Sequence, residues 1–521
     1  MKTKQLFFCS LTGLALLTAS CSSNDEALNG GDGTTSEGKT YAQIAISVAN
    51  SATTRAVAGN TGDEAYGTDD EYTVNDLTVV LANENGIAMQ VITPTLKTVS
   101  NTDEADKLVR VTEPFTCTPG SYKVYVLANY KNSQNELTPI IKGSTDMKAE
   151  FGLTDIAKLS TTDNFFMTNT SAPEVKVIEK DATGKEVDDA GKEMTDGKTN
   201  LNLLTVDVER AVSKVTFDNT DNQSFDIKVG DNKIATATLE GASLINLNKK
   251  MYLVKDGTAA TKKPVTGEWP YPKDPNYNET SIATAYCEAN FEQRSATVFS
   301  APSEAKFYCP ENTMEASAQL NGQTTGVVYK VKYVPEGKYY TELAAKNGTD
   351  SYSKMFEEVL KLGVGVKDEA ITDKIFTEAT AEDKTAGTFY SYNGYVFKTK
   401  AGARLYKAIA TANTGDDAAA VNAAFKKNAN DDDIQTYKEG YCYYTAWIKH
   451  NPTSTVTMEQ DKYGVVRNFW YELKVSSIKK LGYSKATYED SNTPDDKAEA
   501  SIQVKVNIKK WRLVKQNVNL E

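Results

Sequence analysis

Apolar and polar residues alternate along much of this chain, and each alternating segment ends at turn-forming residues. Residues 42–48 (AQIAISV) show the pattern clearly, and residues 122–127 follow the turn Pro119-Gly120. A period of two puts every second side chain on one face of an extended strand, so the pattern predicts half-buried antiparallel strands. Further segments of this kind are residues 77–81, 206–208, 212–217, 327–333, 389–397, 441–448, 470–475 and 502–508. We therefore predict a mainly β protein built from β-sandwiches.

Length predicts two domains, because 521 residues exceed what one ordinary core accommodates. The charged, glycine-bearing segment 180–200 has no apolar periodicity and is typical of a long loop, so we place the boundary after residue 203. An apolar helical face at residues 355–360 and the alanine-rich segments that follow predict short helical insertions over about residues 351–430. The two predicted domains are residues 56–203 and 204–521.

The N-terminus has the organisation of an export signal. Lys2 and Lys4 precede the apolar segment 6–17, which is shorter than the about 20 residues of a membrane-spanning helix. Small residues then lead to Cys21, an order that resembles the lipobox of bacterial lipoproteins. We therefore predict a signal peptide over residues 1–20 and lipidation of Cys21. The alternative is an ordinary signal peptide with an unmodified cysteine.

Charge and histidine content narrow the function. The net charge of −12 argues against nucleic acid as a partner, because such binding needs clustered lysine and arginine. The one histidine, His450, lies beside a turn proline and is interpreted as a solvated loop residue. Hydrolases and zinc sites usually need imidazole, so we expect no catalytic residues, no cofactor and no metal site. The acidic runs at residues 69–71 and 431–433 are interpreted as solvated loops.

Four cysteines lie beyond the predicted signal and lipidation site, with no metal-binding spacing. They are Cys117, Cys287, Cys309 and Cys442. Four cysteines allow three complete disulfide pairings, and the sequence selects none of them. Isolated buried thiols remain the alternative.

Five segments, taken in order, resemble the fimbrillin family of type V pili, and in particular the major (shaft) subunit of the short, or minor, fimbriae. The segments are residues 74–79 (VNDLTV), 208–215 (VERAVSKV), 441–448 (YCYYTAWI), 467–473 (RNFWYEL) with 478–482, and 504–506 with Trp511. The resemblance implies two tandem transthyretin-like Greek-key β-sandwich domains. It also implies a structural subunit rather than an enzyme, located in a fimbria on the cell surface, where it supports adhesion and biofilm formation.

The same resemblance implies how such a subunit matures. An arginine-specific surface protease would cut between Arg55 and Ala56, releasing the lipidated propeptide 21–55 with its first strand, which carries Ile44, Ile46 and Val48. The uncovered groove would accept a strand from the C-terminal region 502–521 of a neighbouring subunit. The implied donor residues are Val504, Val506, Ile508, Trp511, Leu513, Val518 and Leu520. The alternative is that these residues form only the last strands of the second domain.

The implied partners are identical subunits in a polymer, accessory anchor and tip subunits, the protease, and the outer membrane through the lipid before cleavage. Two rival functions stay open. One is an anchor or tip adhesin of the same pilus type. The other is a glycan-binding surface lipoprotein or carbohydrate enzyme, for which Trp269 is the candidate exposed aromatic residue. Trp447, Trp470 and Trp511 lie in or beside predicted strands, where packing is expected.

Overall fold

The structure is a computed structural model, and its described residues all lie within one compact unit, Lys39–Glu521. These residues are 40–48, 64–97, 109–134, 137–179, 202–219, 221, 223–255, 271–280, 283–292, 298–302, 305–336, 385–397, 400, 403–404, 406–407, 431–486, 492–497 and 502–512. The predictions at Cys21, Arg55, Ala56, Trp269, Leu513, Val518, Leu520 and residues 355–360 lie outside them.

Strands dominate the described residues, which confirms the prediction of a mainly β protein. In chain order they are β1 (Thr40–Val48), β2 (Glu64–Tyr66), β3 (Leu77–Ala82), β4 (Ala88–Ile92), β5 (Val109–Val111), β6 (Phe115–Cys117), β7 (Gly120–Ala128), β8 (Phe151–Gly152), β9 (Ser160–Thr161), β10 (Asn164–Phe165), β11 (Met167–Asn169), β12 (Glu174–Val177), β13 (Asn202–Arg210), β14 (Val212–Phe217), β15 (Ser224–Val229), β16 (Asn232–Ile245), β17 (Leu247–Asn248), β18 (Lys250–Met251), β19 (Phe291–Glu292), β20 (Lys306–Pro310), β21 (Gly326–Pro335), β22 (Phe389–Tyr392), β23 (Tyr395–Phe397), β24 (Gln435–Tyr437), β25 (Tyr441–Trp447), β26 (Phe469–Ile478) and β27 (Ile502–Arg512). Two short α-helices, α1 (Tyr130–Ser133) and α2 (Thr284–Asn290), were not expected from the sequence. Residues 400, 403–404 and 406–407 are also helical, within the predicted helical insertion.

The first half of the described chain forms a nine-stranded sheet. Its order is β4-β3-β7-β11-β13-β1-β5, with β12 paired to β7 and β6 paired to β1. Most of these pairs are antiparallel, whereas β1 and β13 run parallel. The first described strand, β1, therefore lies inside the sheet rather than at its edge.

Two further sheets form most of the second half of the described chain. The five-stranded sheet has the order β2-β27-β26-β14-β20, and the four-stranded sheet has the order β15-β16-β21-β25. Phe217 of β14 and Tyr329 of β21 meet in a T-shaped contact with ring centroids 5.8 Å apart. Because these residues belong to different sheets, the contact shows that the two sheets pack face to face across a shared core. The division into tandem transthyretin-like domains stays a prediction.

Local turns explain where the strands differ from the sequence pattern. Residues 389–397 were expected as one alternating segment, but they form a hairpin of β22 and β23. Asn393 and Gly394 have φ values of 48° and 80°, the left-handed conformation that a two-residue hairpin turn requires. The predicted boundary after residue 203 falls inside β13, which is the last strand of the nine-stranded sheet along the chain, and β14 belongs to the five-stranded sheet.

Candidate assembly site

Strand β1 has hydrogen-bonded neighbours on both sides. Its residues 42–48 pair in parallel register with residues 202–208 of β13. On the other side, residues 45–47 pair antiparallel with β5, and residues 40–42 pair antiparallel with β6. A nine-residue strand near the start of the chain thus supplies the link between β13 and the β5–β6 edge.

The side chains of β1 alternate between buried and half-buried positions, as the period-two pattern predicts. Ile44 and Ile46 are fully buried, and Val48 is 2% exposed. Burying each such side chain contributes about 1.5–3 kcal/mol relative to exposure. The structure therefore brings the three residues of the predicted removable strand together on one inward face.

Backbone and side-chain groups from neighbouring segments hold the backbone of β1 in place. Thr112 donates its backbone N–H to Ile44 O at 3.0 Å, and its hydroxyl accepts from Ile44 N at 3.2 Å. Asn202 donates from Nδ2 to Tyr41 O at 2.9 Å. Without β1, these groups and the facing edges of β13, β5 and β6 would lose their partners. A strand with the same alternation of apolar residues could bond to these groups and pair with these edges, because an open sheet edge is a template for strand addition.

The predicted donor region lies in the other sheet. Strand β27 pairs antiparallel with β26 along its length and parallel with β2 at residues 510–512. Val504 and Val506 are half-buried against the main core, opposite Val475 and Leu473. Within this chain, residues 502–512 thus form one strand of its own fold. The backbone positions of Ile508 and Trp511 also lie in β27.

The turn after β2 carries a buried charge cluster that was interpreted from the sequence as a solvated loop. Glu71 is fully buried, and its Oε1 lies 2.6 Å from Lys214 Nζ and accepts a hydrogen bond of 2.7 Å from Tyr308 Oη. The Lys214 ammonium also lies 3.8 Å from the centre of the Trp470 ring. Burial lowers the pKa of Lys214, and the Glu71 carboxylate acts in the opposite direction. The prediction of solvation is wrong for Glu71, which contacts Lys214 of β14 and Tyr308 of β20, whereas Asp69 is exposed.

One sequence signal for this turn was readable. Thr68 and Glu71 have the spacing of a capping box, in which a threonine and a glutamate three residues later bond each other's backbone. The structure has this arrangement, and Glu71 Oε2 accepts from Thr68 N at 3.1 Å. The lysine and the tyrosine come from distant strands, which no local pattern connects.

The second acidic run lies at the surface but is partly paired. Asp431 accepts hydrogen bonds from Arg404, with 3.0 Å between Arg404 Nε and Asp431 Oδ1. Its side chain is 10% exposed, so the prediction of a solvated residue is wrong for Asp431. Asp433 lies 2.5 Å from Lys407 Nζ and is half exposed.

His450 is buried rather than solvated, which corrects the interpretation from the sequence. It is 1% exposed, and its Nδ1 lies 2.7 Å from Tyr471 Oη. The rings of Tyr271 and Phe469 each lie 5.5 Å from the imidazole. Burial lowers the pKa of His450 to about 3, so the ring is neutral at physiological pH. The aromatic neighbours come from distant segments, and the local turn sequence gave no sign of them.

All four cysteines among the described residues are free and buried, in agreement with the isolated-thiol alternative. Burial raises the pKa of Cys117 and of Cys442 to about 11, which keeps both thiols protonated and unreactive. Cys117 lies on β6, where it pairs with Thr40 of β1. Its thiol is therefore covered beside the predicted removable strand.

Two of the tryptophans have described side chains, and both pack as expected. Trp447 is buried in a small cluster with Ile245, Val328 and Tyr463. Trp470 packs partly against the main core and donates from Nε1 to Thr216 Oγ1 at 2.7 Å. Neither ring is an open platform for a sugar.

A polar surface groove of about 720 Å³ lies beside β24 and β25. Tyr441 and Tyr443 line it, and the ring centre of Tyr441 lies 3.9 Å from Lys330 Nζ and 4.6 Å from Lys332 Nζ. These ammonium groups occupy the ring face that a stacked sugar would need.

In the part of the chain that the structure describes, no helix has the length and apolar character to cross a membrane. Among the same residues, no three histidine, cysteine or acidic side chains converge as metal ligands.

Two family models match this chain. Residues 42–209 match the model described as major fimbrial subunit protein (FimA). Residues 435–517 match the model described as the C-terminal part of fimbrillin, the major fimbrial subunit protein type IV. No curated protein sequence matches the chain. The fimbrillin resemblance predicted from the sequence is confirmed by the two models.

Three of the solved structures to which this chain is similar come from Parabacteroides distasonis and Porphyromonas gingivalis. A candidate cell adhesion protein from Parabacteroides distasonis has 14% identity and a TM-score of 0.39, over 91% of this chain and 100% of that one. A fimbrilin (FimA) from Porphyromonas gingivalis has 14% identity and a TM-score of 0.37, over 91% of this chain and 99% of that one. The tip fimbrial protein Mfa3 from the same species has 13% identity and a TM-score of 0.29, over 91% of this chain and 100% of that one.

Proposed function

We propose that this fimbrillin-like chain is the precursor of a shaft subunit of a surface fimbria. The observation that carries the proposal is the position of β1, which is the first described strand and is bonded on both sides inside a sheet. A removable strand in this position would leave a groove with two open edges and an apolar floor. A protomer without it would need a strand from another copy.

In this proposal the lipid on Cys21 holds the precursor at the outer membrane until an arginine-specific protease cuts between Arg55 and Ala56. Arg55 lies in the sequence between β1 and β2, so the cut would free β1 and leave β2 with the mature chain. The mature subunit would begin at Ala56. The role is structural, and the partners are identical subunits together with anchor and tip subunits.

The donated strand comes from the C-terminal region in this proposal. Residues 513–521 follow directly after β27 and carry Leu513, Val518 and Leu520. Donation of these residues would leave the pairing of β27 with β26 unchanged. Donation of Val504, Val506 and Ile508 would require β27 to leave β26. The outer segment is therefore the part that can be donated without opening the second sheet.

The first experiment uses the variant Arg55→Lys, which keeps the positive charge and removes the arginine-specific site. We expect the wild-type precursor to give a new N-terminus at Ala56 and filaments visible by electron microscopy after digestion. The variant should remain lipid-anchored and monomeric, and a lysine-specific protease should restore its assembly. Filaments from undigested Arg55→Lys protein would contradict protease activation.

A second experiment tests the donor. A chain that ends at Arg512 should be cut at Arg55 and keep the β circular-dichroism spectrum of the full chain, yet form no SDS-resistant ladder. A normal ladder from this chain would refute donation by residues 513–521. A wild-type chain that is never cut, and that keeps its lipid within mature fibres, would identify an anchor subunit instead.

A further inference from the structure

Four buried side-chain oxygens, three on residues 319–323 and one on Asp495, have no hydrogen-bond donor among the described residues. They are Gln319 Oε1, Asn321 Oδ1, Gln323 Oε1 and Asp495 Oδ1. The four residues are exposed by 8% or less. An unsatisfied buried acceptor costs about 1–3 kcal/mol. Four of them on neighbouring segments indicate a partner from outside the described residues.

Backbone hydrogen bonds bring these residues into one place. Asp495 donates its N–H to Gln319 O at 3.1 Å, and Asn321 donates its N–H to Thr493 O at 3.0 Å. The hydroxyl of Thr324 donates to Asp495 Oδ2 at 2.5 Å. The segment that carries Asp495 therefore lies directly across the turn 319–324.

The orientation of the two glutamine amides is fixed by their nitrogen atoms. Gln319 donates from Nε2 to Glu459 O at 2.5 Å. Gln323 donates from Nε2 to Ala318 O and, at 3.2 Å, to Glu279 O. Because each nitrogen faces a carbonyl oxygen, a rotation of either amide would set two acceptors against each other. Both Oε1 atoms are therefore the available groups.

Asp495 has no cationic partner among the described residues, and burial raises the pKa of its carboxyl well above the usual range. Of the ion pairs between described residues, none involves Asp495, since the nearby Lys462 lies 2.7 Å from Asp496 Oδ1 instead. A buried carboxylate normally needs a cation or several donors. Asp495 receives one described side-chain donor, the Thr324 hydroxyl, and its second oxygen receives none. Three amide oxygens and one carboxyl group without a described partner form a set of ligands that suits a cation.

We propose that the turn 319–324 and Asp495 bind a divalent cation, with calcium as the preferred ion. Calcium takes six to eight oxygen ligands, including amide and backbone carbonyl oxygens, whereas zinc prefers nitrogen and sulfur. One carboxylate with neutral oxygens gives a weakly charged site, so we expect a dissociation constant of about 10⁻⁴–10⁻³ M. The competing occupant is a buried water molecule, which would donate to two of the oxygens.

The test measures thermal unfolding of the purified full chain in calcium and in EDTA. We expect calcium to raise the unfolding temperature in a saturable manner, and the variant Asp495→Asn to lose this response. Terbium gives a second readout, because Tyr463 Oη lies 2.8 Å from Asp496 Oδ1 and its ring can sensitise lanthanide emission. The wild type should show this emission, and calcium should displace it.

The matched control is Asp274→Asn. Asp274 is equally buried, but its oxygens accept from Thr313 N at 2.7 Å, from Asn276 N at 2.7 Å and from Asn248 Nδ2 at 3.0 Å. This variant should keep the calcium response of the wild type whatever its own stability. Equal loss of the response in both variants would overturn the assignment to Asp495.

A gain-of-affinity variant keeps the test decisive if Asp495→Asn does not fold. Asn321→Asp preserves the size of the side chain and adds a second carboxylate to the site. A cation site should then bind calcium about tenfold more tightly, because affinity rises with the charge of the ligands. Equal unfolding temperatures in calcium and EDTA for both the wild type and Asn321→Asp would refute the proposal and assign the place to water.

Discussion

The ammonium of Lys214 lies 2.6 Å from the carboxylate of Glu71, and both side chains are almost completely shielded from solvent. Lys214 belongs to β14, whereas Glu71 belongs to the turn that follows β2. The pair thus ties the segment after the proposed cleavage site to the second half of the protein. Cleavage at Arg55 would leave this attachment in place, because Glu71 remains with the mature chain.

We predict that Glu71→Gln lowers the free energy of unfolding by about 3–5 kcal/mol, since it leaves the buried Lys214 ammonium without its counter-charge. Chemical denaturation of the full chain measures this change. The double variant Glu71→Gln with Lys214→Met should recover part of the loss, because it removes the uncompensated charge as well.

The matched control for this pair is the exposed ion pair between Lys250 and Glu150, whose nitrogen and oxygen lie 2.9 Å apart. Glu150→Gln should change the free energy of unfolding by no more than about 1 kcal/mol, as is usual for exposed pairs. Similar losses in Glu71→Gln and Glu150→Gln would show that the buried pair has no special role.

Cys117 gives a prediction about the release of β1 that does not depend on polymerisation. We expect the Cys117 thiol of the intact precursor to resist iodoacetamide, because the residue is buried beside β1 and burial raises its pKa to about 11. Departure of β1 after arginine-specific digestion should expose it and raise its labelling. Mass spectrometry of the labelled peptides measures the change at each cysteine.

Two comparisons control the labelling. Cys309 and Cys442 are fully buried elsewhere in the fold and should stay unlabelled before and after digestion. Digested Arg55→Lys protein should retain an unreactive Cys117. A Cys117 that stays protected after a confirmed cut at Arg55 would mean that β1 does not leave, which contradicts the proposed groove.

The strands were predictable because their signal is local. Ile44, Ile46 and Val48 alternate with small or polar residues, and the structure buries them on one face. The neighbours of each strand were not predictable, because the parallel pairing of β1 with β13 joins distant segments. The position of β27 was equally unpredictable, because its neighbours β26 and β2 in the five-stranded sheet come from distant parts of the chain.

Charged and polar residues were the harder part of the prediction. His450 and Glu71 stand in turn-like sequence, and burial of either depends on partners that come from distant elements. Only the capping box at Thr68 and Glu71 was visible locally. The candidate cation site has no sequence motif at all, since three of its four residues are neutral amides and Asp495 lies far along the chain.

The buried imidazole of His450 predicts a specific loss of stability in acid. The pKa of an unfolded histidine is about 6.5, whereas burial lowers the pKa of His450 to about 3. As the pH falls below 6.5, the unfolded chain therefore takes up a proton that the folded chain refuses. This linkage lowers the free energy of unfolding by up to about 1.4 kcal/mol per pH unit until the pH approaches 3.

Comparison with His450→Gln isolates this effect from the titration of carboxyl groups. Glutamine does not titrate, and its amide is able to bond the Tyr471 hydroxyl that lies 2.7 Å from Nδ1 in the wild type. The wild type should be the more stable protein at pH 7, because its ring fills the space between Tyr271 and Phe469. Its advantage should shrink steadily from pH 6.5 towards pH 4 in urea titrations. A constant difference over this range would show that His450 does not stay neutral in the folded protein.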